Sequence, residues 1–303
     1  MTKNQAWIHA LRLRTLPLSI AGILTGSAIA LHQHFWNAIV FSLALCTTLL
    51  FQIVSNLAND LGDTQKGADN EHRVGPTRAV QSGIISQQAM KNAVILTSIL
   101  SFFSAALLIY FGSKHLSNTV IYFYFGLALA CIFAAIMYTV GKKAYGYNGL
   151  GDLFVFIFFG LVSVVGVYPL FANDFDYFLL IPAVTIGCFS SAVLNLNNMR
   201  DIENDRSVGK NTLVVKLGSE NAKKYHAFLI LTGIIAWIIF LAITQQWIGF
   251  ISLLPSLLLL KHLVFVMKNK EPKAFDPHLK TVAIATFFTS VMYFVSVIFA
   301  QWI

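Results

Sequence analysis

Residues 37–63 read NAIVFSLALCTTLLFQIVSNLANDLGD, an apolar run long enough to cross a bilayer that ends in a polar one. Residues 178–205, FLLIPAVTIGCFSSAVLNLNNMRDIEND, repeat the arrangement. On a helix, Asn56, Asp60 and Asp63 fall at i, i+4 and i+7, and Asn197, Asp201 and Asp205 at i, i+4 and i+8. Each set is therefore predicted to line one helical face with amide and carboxylate oxygens. Acids at the mouth of a membrane bundle are costly to keep there, which makes them functional-site candidates by default. Two clusters built alike suggest one site made from two halves.

Composition agrees with that reading. Of the 303 residues, 57% are apolar and 11% charged, and mean hydropathy is +0.70. Soluble domains carry roughly 25% charged residues, so the chain reads as an integral, multi-pass protein of the lipid bilayer. A hydrocarbon core of about 30 Å takes about 20 helical residues to cross. Nine stretches meet that length, near 17–35, 37–58, 91–111, 119–140, 152–171, 178–198, 225–244, 247–267 and 281–302. The expected fold class is all-α, a polytopic bundle of about nine transmembrane helices. Cys46, Cys131 and Cys188 all fall within predicted spans without paired spacing and read as small packing residues.

The positive charges fix an expected orientation. With Lys91 and Lys261 counted with the loops they adjoin, only Lys114 of the 21 Lys and Arg falls on the side opposite the others. The positive-inside rule then places the N-terminus and both acidic clusters in the cytoplasm and the C-terminus outside. Topology thereby accounts for most of the net charge of +8, and no nucleic-acid partner is needed to explain it. The first and fifth spans begin about 135 residues apart, and Asp60 and Asp201 are 141 apart. That spacing predicts a single domain, 1–303, of two parallel four-helix repeats, roughly 10–145 and 146–270, followed by a ninth span.

The chemistry of the clusters points to one ligand class. Asp60, Asp63, Asp201 and Asp205 offer hard oxygen ligands with no soft ligand nearby, which favours Mg²⁺ sharing phosphate oxygens with a substrate. Lys66, Arg73 and Arg78 follow the first cluster, and Arg200, Arg206 and Lys210 surround the second. Carboxylate-held metal with Arg and Lys is the set needed to hold a diphosphate and neutralise it as it leaves. The 26 Phe suit an aromatic tunnel for an isoprenoid tail, although most are expected to face lipid or to pack between helices.

The first cluster, continued by Lys66-Gly67-Ala68-Asp69 and Arg73-Val74-Gly75-Pro76, resembles the first aspartate motif of the UbiA superfamily of membrane prenyltransferases. Asn198-Met199-Arg200-Asp201-Ile202, Asp205-Arg206 and Gly209-Lys210-Asn211-Thr212-Leu213 resemble the second. Arg14-Thr15-Leu16-Pro17, Tyr145-Gly146-Tyr147 and Gly149-Leu150-Gly151-Asp152-Leu153 are similar to the branch that prenylates 1,4-dihydroxy-2-naphthoate. One departure is visible: where many members carry a further aspartate this chain has Gly67, with Asp69 two places on, which leaves the motif's last ligand open.

The resemblance implies nine spans around a central cavity in the cell (inner) membrane. It also implies Mg²⁺ bridging the two motifs, with polyprenyl diphosphate and 1,4-dihydroxy-2-naphthoate as substrates and demethylmenaquinone as product. By position, Asp60, Asp63, Asp201 and Asp205 would be the metal-linked catalytic acids. Asn56, Asn59, Lys66, Arg73, Asn197, Asn198, Arg200 and Lys210 would contact diphosphate or order the loops. Tyr138 and Lys142, at the end of the fourth span, are further candidates, with an interfacial aromatic and a topology charge as the alternative. Another aromatic acceptor, such as 4-hydroxybenzoate, is the competing enzymatic reading. A membrane transporter is the competing class.

Overall fold

The computed structural model describes residues 2–70, 73–172 and 175–302. Among these residues there is no strand, and nine helices are long and apolar enough to cross a membrane. They are α1 (Lys3–His32), α2 (Ala38–Gln65), α3 (Gln87–Gly112), α4 (Asn118–Met137), α5 (Gly151–Leu170), α6 (Tyr177–Arg200), α7 (Ser219–Ile243), α8 (Trp247–Lys268) and α9 (Pro272–Ala300). The chain is an integral multi-pass membrane protein. Every expected span is present. Several helices outrun the apolar stretch that predicted them, and polar side chains cap the starts of two. Asn37 begins α2 by accepting the Ile39 and Val40 N–H groups, and Ser86 begins α3 by accepting that of Ala89.

Two breaks shape the site. In α1 the helix stops at Arg12, whose φ of +50° lies in the left-handed region, and resumes at Leu16 after one tight turn. Side-chain amides from α2 fill the gap, as Asn56 donates to the Leu11 carbonyl at 2.9 Å and to Thr15 Oγ1 at 3.2 Å. In α5 the winding widens between Phe156 and Val165, and Gly166 N–H reaches back five residues to Leu161.

Helix α6 runs through the middle of the bundle, and Pro182–Ser191 is almost continuously buried. At one end of the molecule Trp237, Phe240 and Tyr293 pack edge to face, with Trp237 donating to Ser252 and Tyr293 to Gln246. At the other end His226, His262 and His278 join α7, α8 and α9 through N···N contacts of 2.9 and 2.8 Å. Phe103, Phe123, Phe133 and Phe228 are all more than half exposed on the outer surface.

The contact of α1 with α5 depends on small residues. A Cβ at Gly26 would stand 2.4 Å from the Val164 carbonyl oxygen and 2.5 Å from Val167 Cγ1. Gly26→Ala is therefore expected to push the two helices apart at a cost of about 1–3 kcal/mol. Thermal melting of the detergent-solubilised variant measures this. An unchanged melting temperature would mean that the helices have room to spare.

Candidate functional site

The last turns of α2 and α6 reach the same end of the bundle. There they meet the loop segments 66–70 and 73–86, the turn Tyr145–Asn148 and the short helices Ile202–Ser207 and Leu213–Leu217. Asn204 donates to the Ala68 carbonyl at 2.8 Å and so stitches the two motif loops together. The two halves expected from the sequence are in contact.

The first motif stays helical through Gln65, and its residues divide the work. Asn56 is bound into the break of α1, and the Asn59 side-chain oxygen accepts from the Thr139 hydroxyl at 3.2 Å. Asp60 is 1% exposed and receives the backbone N–H groups of Ala79 at 3.1 Å and Val80 at 3.3 Å. It therefore pins the loop that carries Arg73 and Arg78. Asp63 accepts a hydrogen bond from the Tyr147 hydroxyl at 2.8 Å and stands 3.6 Å from Lys210 Nζ. At Gly67 the chain turns with φ +71°, which a side chain would resist. The turn brings Asp69 inward to 3.3 Å from Arg73 and 3.6 Å from Arg78. Neither Asp69 oxygen has a hydrogen bond.

The second motif corrects an expectation. Asn197, Asp201 and Asp205 do not share one helical face, because α6 ends at Arg200 and Asp201 adopts φ −99°, ψ 12° before a new short helix begins. The cause is Arg200. Its guanidinium is 1% exposed and grips Asp201 at 3.0 and 2.6 Å, Asp276 of α9 at 2.5 Å and the Asn197 side-chain oxygen at 2.9 Å. Fork-to-carboxylate pairing of this kind holds both partners in place. Both Asp201 oxygens are thus engaged, with Arg73 a further 3.8 Å from one of them. Asp205 lies 3.8 Å from Lys210, and its other oxygen is buried without a hydrogen-bond partner.

Electrostatics separate the acids. Burial pushes the Asp205 carboxyl up to about 6, with Asp201 and Asp63 adding to the rise while Lys210 opposes it. Burial also raises Asp69. Burial would raise Asp201 as well, but the hydrogen bonds and charge of Arg200 hold it below the ordinary carboxylate value. The Lys210 ammonium, which burial alone would disfavour, is kept charged by Asp63, Asp205 and Asp201.

A cavity of about 340 Å³ opens beside these residues. Its polar end is lined by Arg12, Arg14, Arg78, Lys210 and Lys280, with Asp63 as the acid among them and Asn56, Asn59 and Asn197 alongside. Its body is apolar, walled by side chains such as Leu18, Ile23, Phe51, Leu108, Phe158 and Val162. Five cations against one carboxylate suit an anionic head, and the walls suit a hydrocarbon tail. Tyr138 lines the cavity, whereas Lys142 is exposed and off its wall. Asn198 is buried away from it. Lys66 rests over the Tyr147 ring at 4.0 Å.

Sequence reasoning did not assign site roles to Arg12, Arg14, Tyr147, Asp276 or Lys280. Arg12 and Arg14 counted there only as topology charges or family wording, yet the break in α1 carries both to the cavity wall. Two Arg12 guanidinium nitrogens, Nε and one terminal nitrogen, are buried without a hydrogen-bond partner.

The donors fit a hard divalent cation. Asp63, Asp69 and Asp205 offer oxygens, with one at Asp205 and both at Asp69 lacking hydrogen bonds, and no soft donor has been placed among them. Among the described residues no three His, Cys, Asp or Glu side chains are gathered closely enough to hold an ion by themselves. Such an ion would share its ligands with a bound diphosphate.

Residues 19–291 match the model of the UbiA prenyltransferase family. The 1,4-dihydroxy-2-naphthoate octaprenyltransferase of Escherichia coli (strain K12) is 41% identical over 304 residues, taking in all of this chain and 98% of that protein. Its counterpart of the same name in Haemophilus influenzae is 40% identical over 96% of this chain and 95% of that one. The apo structure of a UbiA homolog from Aeropyrum pernix K1 superposes with a TM-score of 0.68 over 97% of this chain and 98% of that one. At 16% sequence identity, that likeness speaks for the fold.

Proposed function

The chain belongs to the UbiA prenyltransferase family, and from that premise we propose that it prenylates 1,4-dihydroxy-2-naphthoate. A polyprenyl group passes from its diphosphate to the ring, CO₂ and diphosphate leave, and demethylmenaquinol, the reduced form of demethylmenaquinone, results. The observation that carries this reading is a cavity that joins a cationic end to an apolar body. The choice of acceptor follows the named activity of the full-length relatives.

Members of the family depend in general on a divalent metal, and Mg²⁺ is the ion that the oxygen donors favour here. When bound, it would neutralise charge on the departing diphosphate. Asp63, Asp69 and Asp205 are the side chains that would contribute to holding it. Asp60 and Asp201 act behind them, through the 73–86 loop segment and through Arg200. Lys210, Arg78 and Arg12 meet the diphosphate oxygens, and the apolar walls shield the allylic cation from water. The acceptor ring supplies the electron pair for the new C–C bond as the allylic C–O bond breaks. The ring–carboxylate C–C bond then breaks, and its electron pair restores aromaticity as CO₂ leaves. Loop charge supports a cytoplasmic position for the N-terminus and both motifs, with the C-terminus outside a cell (inner) membrane. The even spacing of the motifs supports two parallel four-helix repeats.

The test is turnover by the purified protein with Mg²⁺ and a set of polyprenyl diphosphates, offered dihydroxynaphthoate or 4-hydroxybenzoate and read by product mass. The decarboxylated, prenylated 1,4-naphthalenediol is expected, its formation lost on chelation with EDTA and restored by Mg²⁺. Efficient use of 4-hydroxybenzoate alone would overturn the choice of acceptor.

A further inference from the structure

Tyr147 touches both motif segments at once. It lies on the turn Tyr145–Asn148 between α4 and α5. Its hydroxyl donates to Asp63 Oδ1 at 2.8 Å, on the first motif. Its carbonyl accepts the Asn211 N–H at 3.0 Å, one residue past Lys210 of the second. Its ring gathers two ammonium groups, Lys66 Nζ at 4.0 Å and Lys210 Nζ at 5.2 Å from the centroid.

The turn itself has little freedom. The Gly146 N–H donates to the Tyr138 carbonyl at 3.0 Å, and a Cβ at Gly146 would stand 2.6 Å from that oxygen. Lys216 Nζ binds the Asn148 carbonyl at 2.7 Å. A backbone fastened on both sides presents the phenol to Asp63 in one orientation. The hydrogen bond occupies Oδ1 and directs the carboxylate toward the cavity that Asp63 lines.

We propose that Tyr147 is a positioning residue for prenyl transfer: its hydroxyl orients the Asp63 carboxylate for a divalent cation, and its ring holds Lys66 and Lys210 where the diphosphate binds. This rests on the prenyltransferase reading given above. Hydroxyl and ring do separate jobs. Outer partners that hydrogen-bond a ligating carboxylate typically change metal affinity about 10–100-fold. The ring acts on the lysines through cation–π attraction, which bears on the diphosphate and not on the metal.

Tyr147→Phe removes the hydroxyl and keeps the ring, and Tyr147→Gln keeps a donor and drops the ring. Mn²⁺ serves as the probe ion, titrated by electron paramagnetic resonance into purified protein with inorganic pyrophosphate. Tyr147→Phe is expected to weaken Mn²⁺ binding about 10–100-fold. Its half-saturating Mg²⁺ in turnover should rise in parallel, while KM for polyprenyl diphosphate at saturating metal stays within about threefold of wild type. Tyr147→Gln should raise that KM with the smaller effect on the metal. In Asp63→Asn, adding Tyr147→Phe should weaken Mn²⁺ binding no further, because the hydroxyl acts through that carboxylate.

Mn²⁺ affinity in Tyr147→Phe within about twofold of wild type would overturn the proposal, as would a full additional loss in the Asp63→Asn background. Wild-type protein that binds Mn²⁺ with pyrophosphate but prenylates no acceptor would overturn the reading of function instead. The Mn²⁺ titration judges Tyr147 independently of that outcome.

Discussion

Asp63→Ala and Asp205→Ala are each expected to lower metal-dependent prenyl transfer by about a thousandfold, corresponding to about 4 kcal/mol of lost transition-state stabilisation. These acids carry the least structural duty. Asp63 accepts one phenol hydrogen bond, and Asp205 has a buried oxygen with no hydrogen-bond partner. Both face Lys210, at 3.6 and 3.8 Å, so removing either leaves that ammonium with a carboxylate on the other side. The fold should therefore survive, with melting temperatures near wild type. Asp60→Ala supplies the contrast. It orphans the buried N–H groups of Ala79 and Val80, at about 1–3 kcal/mol each, so its loss of activity should come with a loss of thermal stability. Turnover and melting measured together separate the cases. An Asp63→Ala or Asp205→Ala protein that kept a tenth of wild-type turnover would remove that acid from the metal assignment.

The sequence exposed the spans and the motif end because the bilayer sets a length that apolar runs must meet. Their ends were harder to read. Helix α2 continues to Gln65, seven residues beyond its predicted stretch, since no rule of hydropathy stops a helix that leaves the hydrocarbon. The breaks were not legible at all. Arg12 takes a left-handed conformation without glycine or proline, held by Asn56 from another helix. Asp201 interrupts a sequence that reads as continuous helix, held by Arg200 and through it by Asp276. Both depend on partners distant in sequence, which periodicity cannot report. The acids were legible as a group, but their division of labour was not. Asp60 and Asp63 sit one turn apart on the same helix, yet one binds a backbone loop and the other meets the cavity.

Arg200→Met is expected to be the most destabilising of these substitutions. The guanidinium joins α6 to α9 and satisfies two carboxylates from within the protein. Its removal leaves Asp201 buried without its closest cation, and breaking a buried pair from one side typically costs about 3–5 kcal/mol. At about 2–4 °C per kcal/mol, the melting temperature should fall by roughly 10 °C. Turnover should fall too, because the turn at Asp201 sets where the Ile202–Ser207 helix carries Asp205. The account makes a sharper demand than destabilisation alone. Neutralising the orphaned partners as well, in Arg200→Met/Asp201→Asn/Asp276→Asn, should recover more than half of the lost stability, since a buried ion cluster replaced as a whole costs far less than one cut in half. It should not recover turnover, because the rigid fork that ends α6 is still missing. A triple variant no more stable than Arg200→Met would show that packing of the long Arg200 side chain, and not its charge pairing, holds this end of the bundle.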